Sequence, residues 1–305
     1  MTPVLIEHLI SGNSLFSGIG LVLFSAIYRS CRWPFHARLV TPMTLLGGAL
    51  ILFSSTPFPT LVSIGLAALT SWWLVTTPPR RMGRVDAKRT PPEPVRYQPA
   101  TLSQKRLTAI LTMAWIAAGT AETCWRQLPH VPLTASRRIV VLADSITAGL
   151  DEDEVVTWPR LLHQEHHVEV IDFSRVGDTV GSSLSRIRNI DLPEGVVLIE
   201  LGGNDILGTT TIPEFREQLE LLLQHAATTS DRLLMFEIPL PPLGHRFGQI
   251  QRELAGKYGV QLIPKRILAS VLISPETTLD SVHLTQAGHS QMAKIIWQIV
   301  RPDQE

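Results

Sequence analysis

The sequence predicts a protein in two parts: an all-α membrane region of about four helices, then an α/β domain whose parallel sheet is sandwiched by helices. Three observations carry this expectation. No charged side chain falls between His8 and Arg29, or from Leu39 to Pro79. From Ser136 onward, short apolar runs alternate with amphipathic stretches. Three of those runs end in polar residues, as parallel strands do where they carry working groups. The chain has 305 residues, of which 45% are hydrophobic and 18% charged, which excludes a disordered polymer and leaves room for two domains. Its 27 basic residues are balanced by 27 acidic ones, so no basic face marks a nucleic-acid partner.

A membrane helix needs about 20 apolar residues. The first candidate, Leu9 to Tyr28, lacks a basic leader and a small-residue cleavage site, which argues against a removed signal peptide. The second apolar run is broken at "SSTPFPT", where two prolines stop a helix, leaving a hairpin of Leu39–Ser54 and Thr60–Thr77. A fourth segment, Leu107 to Ala121, is short for a span unless its flanks join the helix; by length it also suits a surface or core helix. The expected organisation is therefore three spans within 1–77, a linker over 78–106, a fourth span over 107–125 and an α/β domain over 136–301.

Basic loops stay on the cytoplasmic side. Arg29, Arg32 and Arg38 follow the first span, and the proline-rich linker holds Arg80, Arg81, Arg84, Lys88, Arg89, Arg96, Lys105 and Arg106, whereas the turn at Ser54–Thr60 has no basic residue. Four spans then put the N-terminus, the proline turn and everything after Ala121 outside, in a multi-pass cell-membrane protein with an extracytoplasmic C-terminal domain. The linker charge fits anionic lipid heads. Trp33, Trp72, Trp73 and Trp125 fall near span ends, as interfacial aromatics do, although ordinary packing accounts for each equally well. Cys31 and Cys124 would lie on opposite faces and could not pair.

In the second part, "RIVVLAD", "VEVIDFS", "GVVLIELGGND", "DRLLMFEIP" and "VQLIPK" read as strands apolar on both faces. Helical stretches lie at Val155–His167, Ser182–Ile190, Pro213–Ala227, Phe247–Tyr258 and Gln286–Ile299. The first strand ends at Asp144–Ser145, the second is followed by Gly177, the third ends at Asn204, and Asp280 precedes His283 by three residues ahead of the last helix. Serine, histidine, aspartate and extra donors are the parts of nucleophilic acyl transfer. Each also suits something plainer: Asp144 or Ser145 a helix N-cap, Gly-Asp and Gly-Gly-Asn-Asp a turn, Asp-x-x-His the approach to a helix.

The segments "ADSIT", "VGDTVG", "LGGNDIL" and "DSVHLT" together resemble the four sequence blocks of the SGNH (GDSL-type) hydrolases, nearest to the bacterial thioesterase, lysophospholipase and arylesterase branch. The resemblance covers about Arg137 to Val300 and none of the membrane region. It implies a flavodoxin-like sheet, with Ser145 as nucleophile, His283 as base and Asp280 as its partner. The oxyanion donors would be the backbone N–H groups of Ser145 and Gly177 and the side-chain amide of Asn204. Ala143 stands where the family has glycine, so a strained or altered turn is expected there.

These residue types suit the roles physically. Histidine titrates near neutrality and can take the serine proton; an aspartate holds the ring's tautomer; positioned donors stabilise the oxyanion. No metal or organic cofactor is called for. "DEDE", Asp151–Glu154, reads as a solvated turn or helix start rather than a calcium loop, "HQEHH", His163–His167, as a polar helix face rather than a zinc site, and His245 as a loop histidine near the cleft. The expected reaction is ester hydrolysis through an acyl-serine, on lysophospholipid, another acyl lipid or an O-acetylated envelope glycan. An acyltransferase acting on such glycans, or an inactive binding or scaffold domain, are the alternatives.

Overall fold

The computed structural model describes residues 3–30, 39–77, 101–133, 137–149, 155–230, 232–241, 244–274, 276–280 and 283–302. Residues 78–100 of the linker expected over 78–106, Arg32 and Arg38 of the first basic loop, Cys31, Trp33 and "DEDE" lie outside them. The chain divides into two compact units: Met1–Gly12, Ser55–Pro57 and Trp125–Glu305 form one, Asn13–Ser54 and Phe58–Cys124 the other.

Residues rich in Val, Ile and Leu form five strands in the first unit: β1 (Arg138–Ala143), β2 (Glu169–Asp172), β3 (Val196–Glu200), β4 (Arg232–Phe236) and β5 (Gln261–Ile263). All pair in parallel, in the order β2-β1-β3-β4-β5. Alternation along β1 sends Ile139, Val141 and Ala143 into one core and Val140 and Leu142 into the other. Helices α7 (Trp158–His166), α12 (Lys265–Ile273) and α13 (Gln286–Val300) supply the first core, and α8 (Val180–Ile187), α10 (Ile212–Ala227) and α11 (His245–Tyr258) the second. A sheet covered on both faces is what strands without a polar side require. Two short helices, α6 (Ser145–Ala148) and α9 (Gly203–Leu207), start where β1 and β3 stop.

The first apolar segment is not one helix. It is α1 (Pro3–Ile10) and α2 (Asn13–Ser30), separated at Ser11–Gly12, where Gly12 has φ +78°. Helix α1 belongs to the α/β unit, although it falls within the 1–77 stretch expected to hold the first membrane spans. Ala143 also departs from expectation. It is the extended last residue of β1 with its methyl buried, not a positive-φ site, so alanine brings no backbone strain there.

The second unit holds α2, α3 (Val40–Leu52), α4 (Thr60–Thr76) and α5 (Leu102–Cys124). Helix α5 takes in Lys105 and Arg106 and reaches 23 residues, and alone among the described helices it is long and apolar enough to cross a bilayer. At 13 residues α3 extends about 20 Å, short of a hydrocarbon core of about 30 Å. The unit is apolar inside and out: Leu15, Val22, Trp73 and Leu111 are fully buried, while Phe24, Leu45, Leu61, Trp72 and Met113 are exposed. Trp73 and Trp115 donate indole N–H bonds to Thr108 and Thr70 at 2.9 and 3.0 Å, tying α4 to α5.

Helices α2 and α3 meet at Gly18 and Gly47, where a Cβ on Gly18 would lie 2.5 Å from the Gly47 carbonyl oxygen. Gly20, two residues on, has open space around it. Gly20→Ala should therefore raise thermal stability through helix propensity, by up to about 1 kcal/mol. Gly18→Ala should lower it by about 1–3 kcal/mol through overpacking. Thermal unfolding of the purified variants checks the opposite signs.

Candidate active site

Strand order reverses at β1, with β2 on one side and β3 on the other, and the loops leaving β1, β2 and β3 therefore diverge around a crevice at their carboxyl ends. Backbone bonds extend the ladders into these loops: Asp144 N–H to the Glu200 carbonyl at 3.2 Å and Arg175 N–H to the Ala143 carbonyl at 3.1 Å.

Asp144 caps α6, its Oδ1 accepting the Ile146 N–H at 3.0 Å. The capping alternative thus falls to the aspartate, and Ser145 is freed to be the first residue of the helix. Gly177 sits at the third position of a turn closed by the Asp178 N–H on the Arg175 carbonyl. Its φ of +77° is the left-handed value that turn position needs, which favours glycine. Gly202 has φ +116°, and a side chain there would strike Ile238, so the first glycine of "GGND" shapes the entry to α9.

The side-chain amide of Asn204 donates to Asp144 Oδ2 at 3.2 Å and to the Asp178 carbonyl at 2.9 Å. Both partners are acceptors there, which fixes which end of the amide is nitrogen. An oxyanion would have to take over one of these bonds, of which that to Asp144 is the longer. Asp205 beside it accepts the Val180 N–H at the start of α8 at 2.9 Å. Asp178 accepts from Ser182 and pairs with Arg186. The three strand-end loops are thus bonded to one another.

His283 and Asp280 come together on the loop before α13. His283 Nδ1 donates to Asp280 Oδ2 at 2.7 Å, and its backbone N–H reaches Oδ1 at 2.9 Å. This places the ring proton on Nδ1 and leaves Nε2 as the basic nitrogen. The Thr285 side chain caps α13, and its N–H bonds to the Thr277 carbonyl at 2.9 Å, holding the loop in place. The structure does not join all the expected residues directly. Among the described residues no hydrogen bond links Ser145 Oγ to the His283 ring, although His283 is close enough to Asp144 to favour its ionised form. Such bonds often close only with substrate bound.

A cavity of about 250 Å³ opens beside the polar cluster. Asp144, Ser145, Glu200 and Asn204 supply its polar wall, and the rest is apolar, including Ile206, Phe236, Ile238 and Leu268.

Glu200 was not singled out from the sequence, where it reads as one more strand residue. It is 4% exposed, accepts the Thr147 hydroxyl at 3.1 Å, and lies against Asp144. Thr147 in turn accepts the Trp158 indole N–H at 3.1 Å. Burial, then the nearby Asp144 charge, pushes the Glu200 carboxyl well above its ordinary value. Burial likewise pushes Asp144 up to about 6, against the pull of the Ile146 N–H and with a further push from Asp178. His289, fully buried in α13, accepts the Trp158 N–H at 3.3 Å and is kept neutral by burial, which lowers it to about 4.

The histidines of "HQEHH" finish α7. His163 donates to the Val168 carbonyl at 2.9 Å, His166 stacks on Trp297 at 3.9 Å, and His167 is the left-handed C-cap of α7. His245 opens α11 and is not in the cavity wall.

A serine at the end of β1, an asparagine amide beside it and an Asp–His pair entering the last helix, on a sheet of this order, describe the serine hydrolase class. Comparison with known proteins agrees. The GDSL-like Lipase/Acylhydrolase family matches residues 144–291. An arylesterase of Vibrio mimicus is 33% identical over 159 residues, 48% of this chain and 78% of the relative. Esterase TesA of Pseudomonas aeruginosa is 26% identical over 180 residues, 55% and 90% of the two chains. The thioesterase 1/protease 1/lysophospholipase L1 of Escherichia coli is 28% identical over 155 residues, 48% and 74%. The chain belongs to the GDSL-like lipase/acylhydrolase family and is a serine hydrolase acting on ester bonds.

The two buried acids make stability depend on pH. Asp144 is raised from 3.8 to about 6 in the folded protein, so its contribution is full below about pH 4 and is lost as pH rises through about 6, ~3 kcal/mol in all. Glu200 acts with the same sign and at higher pH. Glu200→Gln keeps a neutral donor beside Asp144 and removes a proton that could be lost. Urea unfolding between pH 4 and 9 should show a shallower fall in stability for the variant; an unchanged slope would mean that Glu200 is ionised in the fold.

Proposed function

We propose that this protein is a multi-pass membrane esterase whose catalytic domain faces away from the cytoplasm and cleaves carboxylic esters by a Ser–His–Asp acyl-enzyme mechanism. Ser145 attacks the ester carbonyl, His283 Nε2 takes its proton, and Asp280 holds the ring and stabilises the imidazolium. The Ser145 and Gly177 N–H groups and the Asn204 amide receive the oxyanion. His283 then protonates the leaving alcohol, and water repeats the sequence to free the acid and restore Ser145.

The observation that carries this reading is the 2.7 Å His283–Asp280 bond, which leaves a base of the right tautomer in the electrostatic range of the segment holding Ser145. Substrate candidates are lysophospholipid, another acyl lipid or an O-acetylated glycan. The named lysophospholipase activity of the Escherichia coli relative and the apolar cavity favour an acyl lipid. The exposed apolar surface of α2–α5 supports bilayer residence. Support for the topology comes from the first unit: the N-terminal segment, the Ser55–Pro57 turn and the α/β domain belong together, and these are the three pieces that alternation of basic loops assigns to the outside.

Ser145→Ala and His283→Ala should each abolish ester hydrolysis by the full-length protein, while Asn204→Ala should lower kcat by about 10²–10³. Activity of Ser145→Ala equal to that of the parent would overturn the nucleophile assignment. In intact cells, external protease should cut the α/β domain and spare the 78–106 linker; the reverse pattern would invert the topology.

A further inference from the structure

We infer that α1, which lies outside the region shared with the family, forms a wall of the substrate site, and that Ile10 on it sets the length of an acyl chain the enzyme accepts. The inference rests on the proposed role of Ser145 and narrows the substrate to esters of extended fatty acyl groups rather than acetyl groups.

Ile10 lines the same cavity as Ser145 and Asn204, although 134 residues of chain separate Ile10 from Ser145. The family model matches residues 144–291, which leaves α1 outside it. Helix α1 packs along α12, whose Leu268 and Leu272 share that wall, while Asp144, Ser145, Glu200 and Asn204 form the polar cluster. An ester whose carbonyl sits at Ser145 has its acyl chain next to side chains that offer no hydrogen bond. A cavity of about 250 Å³ is smaller than the about 300–1,000 Å³ of sites that enclose a whole drug-sized ligand, and suits one chain of a larger molecule.

The docking of α1 is built rather than incidental. Ser55 donates its hydroxyl to the Ile10 carbonyl at 2.6 Å and its N–H to the Leu9 carbonyl at 3.1 Å. Its own carbonyl accepts from Lys265 Nζ at 3.0 Å, and that ammonium, 3% exposed, lies 3.4 Å from Glu237 Oε1. Glu237 also accepts from Arg252 at 2.7 Å. Arg126 donates to the Ser11 carbonyl at 3.1 Å. Burial alone would raise the Glu237 carboxyl, but Lys265 and Arg252 reverse this and hold it below its ordinary value. A buried charge network of this kind is strongly disrupted when one partner leaves, so the end of α1 is held where Ile10 meets the cavity.

The test uses full-length protein in detergent with p-nitrophenyl acetate, butyrate, octanoate and dodecanoate, comparing the parent with Ile10→Trp, Ile10→Ala and Ser145→Ala. Each methylene buried should raise kcat/KM about fourfold until the cavity is full. Ile10→Trp should lower the octanoate-to-acetate ratio of kcat/KM at least tenfold, and Ile10→Ala should shift the preference toward dodecanoate. A ratio unchanged in both variants, or all esters reduced by one common factor, would overturn the role of Ile10 while leaving the esterase reading intact, provided Ser145→Ala is inactive. If Ile10→Trp fails to fold, as judged by its thermal transition, the Ile10→Ala profile decides alone. Absence of Ser145-dependent hydrolysis at every chain length would overturn the proposed mechanism and this inference together.

Discussion

The site depends on the reversal of strand order around β1. The chain adds β2 on one side of β1 and then returns to lay β3 on the other, so the loops leaving β1 and β3 part from each other and open a crevice. Because β1, β3 and β4 are buried on both faces, their register is held by packing from two sides. Asp144, Gly177 and Asn204 are brought together by this constraint, not by proximity in the chain. Ladder bonds running one residue past the strands carry the same rigidity into the loops.

A crevice of that kind collects polar groups in a dry place, and they have to satisfy one another. Asp144 serves the Ile146 N–H, the Asn204 amide and the neighbouring Glu200 at once. Asp178, in the loop after β2, accepts from Ser182, and Asp205 accepts the Val180 N–H, joining that segment to the one after β3. Two carboxyls buried side by side cannot both ionise cheaply, and a protonated Glu200 resolves the conflict by becoming a donor. The Asn204 amide and the start of α6 are thereby held in fixed orientations by buried hydrogen bonds.

A second buried network, Glu237–Lys265–Arg252, extends through Ser55 to the end of α1. The first network orders Asp144 and the Asn204 amide, and the second holds the end of α1, whose Ile10 lines the cavity together with those polar groups and with apolar side chains.

Elements whose character is local were legible in the sequence. Five apolar runs became five parallel strands, and Ser145, Gly177, Asn204, Asp280 and His283 could be named because a parallel sheet works at its strand ends, and because their four segments resemble one family. The break at Ser11–Gly12, the 13-residue length of α3 and the extension of α5 to 23 residues were not legible, since hydropathy marks where a helix is apolar and not where its backbone bonds stop. Glu200, Lys265 and Glu237 read as ordinary residues because their meaning comes from partners distant in the chain. Short-range periodicity and spacing encode the strands and the polar residues at their ends, so these could be read from the chain alone, while the roles expected of those residues came from the resemblance of four segments to one family. That α1 joins the α/β unit and that buried acids orient the Asn204 amide emerged with the fold, because both follow from burial and from contacts across more than a hundred residues or between separate strands.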